Sequence, residues 1–144
     1  MPLSTTETNK VLNWMLGKSA LTTKSKVYVA LLTNDPEADN GTCTEISGDT
    51  YKRVLISQYN ESYPAKIGSA SDRVIKNIDQ INWTKAAADW PEAKGLALYE
   101  VETGGTPFYY SKIPQPFTTE AGAVALFEAG NFKIGLQATD VDIE

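Results

Sequence analysis

The sequence predicts a mainly β chain: a β-sandwich or partly closed barrel with one short N-terminal α-helix. Three observations predict it. Apolar runs of strand length recur along the chain with turn residues between them. Helical spacing is confined to the first stretch. Residues 80–113 read as a strand, a loop carrying Trp90 and Pro91, and a long hairpin closed at Gly104 and Gly105. A Gly-Gly pair between two strand-like runs is a strong hairpin signal, because a two-residue turn needs positive φ.

Composition narrows the function classes. At 144 residues the chain has the length of one ordinary domain. The expected division is an amphipathic helix over 1–17, packed on or bridging from a single β-sandwich over 18–144. A hydrophobic share of 42% with 22% charged residues is globular rather than disordered. A net charge of −5, with Arg53 and Arg73 the only arginines, argues against a nucleic-acid partner. Histidine is absent, which removes the commonest general base and the commonest metal ligand. Cys43 is the single cysteine, so neither an intrachain disulfide nor a cysteine-based zinc site is expected. A lone thiol suits assembly in reducing cytosol. The opening MPLSTTETNK lacks a signal-peptide pattern, and no apolar stretch approaches transmembrane length. No membrane partner is expected.

The elements follow in order. Ser4 with Glu7 fits a capping box, Val11, Leu12, Met15 and Leu16 fall at helical spacing, and Gly17 stands where a glycine ends a helix. Those four apolar residues form the expected docking face. Trp14 lies off that stripe and suits either packing at the helix edge or anchoring a partner. KVYVALLT over 26–33 reads as a strand covered on both faces. The polar loop 34–41 holds Asp35, Glu37 and Asp39 at alternate positions. It lacks the glycine and the terminal glutamate of a calcium loop, so no metal site is expected. Further strands are expected over 51–57, 73–77 and 79–84, with a loop holding Pro64 and Gly68 before the last two. Residues 86–91 fit one helical turn stopped by Pro91. The hairpin strands are expected over 95–102 and 106–113. A second hairpin is expected at Gly130 and Asn131, between runs 124–129 and 132–136. The acidic end, 140–144, is expected to fray.

A two-residue turn at Gly104 and Gly105 would pair Val101 with Phe108, Glu100 with Tyr109 and Tyr99 with Tyr110. One face would then carry Ala97, Tyr99, Val101, Phe108 and Tyr110, and is expected to be core. The other would carry Glu102, Glu100 and Tyr109 at the tip, with Leu98, Leu96 and Ile113 nearer the base under the helix. Tyr109 beside Glu100 is then an exposed aromatic at a wet interface rim. Trp14, Glu100 and Tyr109 are the expected partner-binding residues.

The motifs resemble a known family. The resemblance rests on the N-terminal helix with Asn9, Leu12, Leu16 and Gly17; on VYVALLTNDPEADNGTCTEISGDTYKR; on the Ala86 to Trp90 segment; and on the TGG turn, the Tyr109 and Tyr110 pair and the final AGxF strand. This pattern is similar to that of small tailed-phage virion proteins of the Gp80-like tail-fibre or head-decoration type. Here the second segment is one residue longer, and Pro91 stands where members often place glycine. The resemblance implies a structural protein of the virion, assembled in the host cytoplasm. Its partners would be other head or tail proteins and further copies of itself, with no catalytic residue and no cofactor. The alternative is a carbohydrate-binding module that recognises a surface glycan through Trp83, Trp90, Tyr99, Tyr109 and Tyr110. A glycosidase would need a matched carboxylate pair such as Asp89 with Glu100. Cys43 reads as a small structural residue, because a thiol nucleophile would want a histidine.

Overall fold

The computed structural model describes residues 3–60 and 66–135. The chain is mainly β, with one short helix. Helix α1 spans Thr5–Met15. The Ser4 hydroxyl accepts from the Glu7 backbone N–H at 3.2 Å, which is one half of the expected capping box. The other half is absent, because the Glu7 carboxylate turns to Lys24 at 2.9 Å. Gly17, at φ +73°, stops the helix. Its N–H donates to the Trp14 carbonyl while that of Lys18 donates to Asn13, so the last carbonyls are satisfied.

The main sheet is antiparallel, in the order β2-β1-β5-β6. Its strands are β1 (Lys26–Leu32), β2 (Val54–Gln58), β5 (Ala93–Tyr99) and β6 (Tyr109–Phe117). Two small ribbons complete the set: β3 (Val74–Lys76) with β8 (Lys133–Gly135), and β4 (Ile81–Asn82) with β7 (Leu126–Phe127). None of these sheets closes into a barrel. As the apolar run required, β1 is central and buried on both faces.

On one face Val29, Leu31, Ile56, Leu98, Tyr109 and Ile113 pack with Ile81, Trp83, Trp90, Ala125 and Phe132 into the main core. Ring edges meet ring faces there, as in Trp83 with Phe127 and Tyr51 with Trp90. On the other face Ala30, Leu32, Ala97 and Tyr99 form a smaller cluster with Cys43 and Tyr110. The chain between Asn34 and Glu45 covers this second face. Pro36 lies so close to Gly95 that any Cβ there would sit 2.6 Å from the proline ring, so this strand position must be glycine.

Two hairpin expectations are corrected. Tyr109 pairs with Leu98 and not with Glu100, and Tyr110 pairs with Ala97, a slip of two residues. An even slip preserves the partition of faces. Ala97, Tyr99 and Tyr110 still share one face, and Leu96, Leu98, Tyr109 and Ile113 the other. The core assignment is reversed: Tyr109 is buried in the main core, while Tyr110 is half-buried on the smaller face. The cover over the mixed face is the ribbons and tryptophans, not the helix. The tip is also wider than two residues, since the last pair of the ladder is Leu98 with Tyr109. At Gly130 the chain turns, but β7 and β8 do not pair with each other. The Asn77 side chain holds that turn instead. Its oxygen accepts from the N–H groups of Gly130 and Phe132, and its nitrogen donates to the carbonyls of Asp79 and Glu128. Residues 86–91 form bends rather than a helical turn. The expectations for 140–144 and for the loop around Pro64 fall outside the described residues.

Candidate functional site

The apolar side of α1 is exposed at Leu12, Met15 and Leu16, and Trp14 stands exposed beside it. Leu12 is 48% exposed, Trp14 52%, Met15 65% and Leu16 74%, while Val11 is half-buried. Four large apolar side chains on so short a helix would normally seek a partner surface. The expected docking of this face is either on the chain's own β body or on a neighbouring subunit; within the described residues only Val11 of the face is half-buried. The helix is tied at its root. Leu3 bridges to Tyr109, and the Ser4 N–H donates to the Phe108 carbonyl at 2.9 Å. Lys24 joins Glu7 of the first turn at 2.9 Å to Glu100 of the β5–β6 connection at 3.2 Å, with its ammonium 4.6 Å above the Phe108 ring. Glu100 and Tyr109 thus converge on the helix root, in different roles. Glu100 is half-exposed and bridged by Lys24. Tyr109 is no rim residue: it lies in the core with its hydroxyl donating to the Gly135 carbonyl at 3.2 Å, and burial raises its pKa. Trp14 stands at the far end of the helix, about 10 Å along the axis from Glu7 at 1.5 Å per residue.

The connection from Glu100 to Phe108 is held from below by a network that the sequence reading missed. Buried Arg53 makes three kinds of contact. It meets the Glu45 carboxylate through Nε and Nη2, the latter at 2.9 Å, and donates from Nη1 to the carbonyls of Val101 and Gly104 at 2.9 and 2.8 Å. Its guanidinium lies 3.5 Å over the Tyr99 ring. Tyr51 donates to Glu45 at 2.8 Å and accepts from the Leu31 N–H at 2.9 Å. Burial, followed by the Glu45 charge, pushes the Tyr51 phenol well above the ordinary tyrosine range. Two motifs also meet here. Trp90 packs so tightly on Gly48 that a Cβ there would sit 2.8 Å from the indole nitrogen. Thr50 donates to the Lys85 carbonyl, and Thr84 donates back to the Thr50 carbonyl. The signal was present in the spacing of Glu45, Gly48, Tyr51 and Arg53, and its meaning was a clamp.

The remaining candidates fall apart spatially or chemically. Trp83, Trp90, Tyr99 and Tyr109 are buried and offer no open stacking face for a sugar, while Tyr110 is half-buried. Asp89 accepts from the Ala121 N–H at 2.8 Å, whereas Glu100 is held by Lys24. In the acidic loop each carboxylate has its own task. Asp35 accepts from the N–H groups of Glu37 and Ala38, Glu37 accepts from the Lys112 N–H, and Asp39 accepts from the Asn34 amide. Among the described residues no three His, Cys, Asp or Glu side chains gather as metal ligands. Burial pushes the Cys43 thiol up to about 11, the wrong direction for a nucleophile. No helix among the described residues is long and apolar enough to cross a membrane.

The described geometry is a helix held at its root, with exposed apolar side chains toward its other end, and a clamped connection beside the root. No curated protein matches the chain. The model of one family, described as podophage GP4 fiber I protein gp80, matches residues 2–135. The chain therefore belongs to the Gp80 family of phage fibre proteins, and with them to the virion.

Proposed function

We propose that the chain is a non-enzymatic structural subunit that docks on the phage head or tail through the apolar face of α1. The observation that carries this reading is the exposure of Leu12, Trp14, Met15 and Leu16 on a helix whose hydrogen bonds and ion pairs to the β body, among the described residues, all lie at its root. An isolated helix of 11 residues is marginal in water, so this face gains most by burial against a neighbour. Tryptophan and methionine are frequent interface anchors. Glu100 and the clamped connection lie at the polar rim of the same surface. A neighbouring copy of the chain, or another virion protein, supplies the opposing apolar surface. Assembly takes place in the host cytoplasm, which suits the unpaired thiol of Cys43.

The test is a photo-crosslinking residue placed at Leu16 in the chain as incorporated into particles. Adducts to a virion protein or to a second copy are expected at Leu16 and not at Lys52 on the body. Adducts from Lys52 alone would move the docking surface away from the helix.

A further inference from the structure

The net charge of −5 is unevenly spread. Residues 1–24 hold Lys10, Lys18 and Lys24 against one acid, Glu7, so the negative excess lies wholly in the residues that follow. Glu7 is itself met by Lys24 at 2.9 Å and by Lys10 at 3.6 Å. Between residues 8 and 23 the chain carries Lys10, Lys18 and no acid, and it exposes Leu12, Trp14, Met15 and Leu16. The outer part of α1 is thus a cationic, apolar arm on an anionic body.

The ribbon of β4 and β7 has the opposite charge. Its inner residues Ile81, Trp83, Ala125 and Phe127 lie in or against the main core. Side chains alternate along a strand, and Val124 and Leu126 turn outward, 40% and 38% exposed. Glu120 and Glu128 stand exposed on either side of them. The two segments that build the ribbon, 77–84 and 113–132, contain no lysine or arginine; the first bases along the chain lie beyond them, at Lys76, Lys85, Lys112 and Lys133. The dimensions agree as well. Leu12 to Leu16 covers about 6 Å of helix at 1.5 Å per residue, and Val124 to Leu126 about 7 Å at 3.3 Å per residue.

Both surfaces are exposed in the same chain, so neither covers the other within one copy. We propose that the apolar face of α1 docks on the outer face of the β4–β7 ribbon of a second copy, with Lys10 and Lys18 meeting Glu120 and Glu128. Charge selects this pairing, because an arm set against another arm would bring lysines together, whereas the ribbon offers only carboxylates. The two surfaces differ, so each copy gives one arm and receives one, which is a head-to-tail contact that builds a ring or a filament. The inference rests on the docking role of α1 proposed above and names its partner.

The experiment places a photo-crosslinking residue at Met15 in the chain as incorporated into particles, and maps the adducts by peptide. Adducts within residues 120–128 of a second copy are expected. Lys10→Glu/Lys18→Glu is expected to lower their yield about tenfold, as is Glu120→Lys/Glu128→Lys, and the four changes together to restore it to within about threefold of the parent. All four residues are exposed, so the free variants are expected to melt within about 2 °C of the parent, which checks that each one folds. Adducts only elsewhere on a second copy, or only to a different virion protein, would overturn the inference and leave the docking role of α1 standing. Absence of any adduct from Met15 would overturn both. Adducts within 120–128 whose yield ignores the charge reversals, or is not restored by the fourfold change, would overturn the pairing of these lysines with these glutamates.

Discussion

Arg53 meets a carboxylate, two loop carbonyls and an aromatic face at once, and it is buried while doing so. Replacing it with Met keeps volume and removes every donor. Glu45 would then stand partly buried without its cation, and two carbonyls would lose their partner. The expected cost is about 3 kcal/mol, read from denaturant midpoints. Tyr51 carries the same network and gives it a pH signature. Its folded pKa is raised, so the neutral phenol contributes fully below the unfolded tyrosine value of about 10 and that contribution is lost as pH rises through the folded value. Stability is therefore expected to fall above about pH 10, and Tyr51→Phe to make that fall shallower. An equally steep alkaline loss in the Phe variant would place the titration elsewhere. Gly48→Ala forces a methyl against the Trp90 indole, with an expected cost of about 1–3 kcal/mol and a shifted tryptophan emission.

At the scale of elements, side chains decide what backbone patterns leave open. The helix was legible apart from half of its capping box, because Ser4, the apolar spacing and Gly17 act within one segment. The double burial of β1 was legible for the same reason. The first hairpin was legible as a pair, β5 with β6, though its register was two residues off; the second was misread, since Gly-Asn marks where a chain bends but not which strands pair afterwards. Arg53 holds the first tip open from a position far away in sequence, and Asn77 captures the second. The parity of β5 and β6 survived a slip of two residues, whereas the choice of core face depended on the ribbons and on the loop before Glu45. The apolar face of the helix was legible as residues. Its exposure was not, because periodicity names the apolar side of a helix without saying what covers it. Asn77→Ala is expected to cost about 3 kcal/mol, as it leaves buried backbone groups unpaired in several strands' connections at once. Lys24→Met should uncouple the helix root. Hydrogen exchange over residues 5–16 is then expected to quicken while β1 and β5 keep their protection.

For the whole molecule, the fold separates two tasks. The main core, the Arg53 clamp and the Asn77 pin hold the β body together, and no residue of α1 belongs to either core cluster. The helix carries apolar surface that the body leaves exposed, as befits a family of virion fibre proteins. The measurement that bears most directly on this division is Leu12→Asp/Met15→Asp, followed both in the free chain and in assembling particles. The account predicts a melting temperature of the free chain within about 2 °C of the parent, since neither side chain is in the core, together with loss of incorporation into particles. Normal incorporation of the double variant would contradict it, and so would a collapse of the free chain's stability, which would make the helix face part of the core.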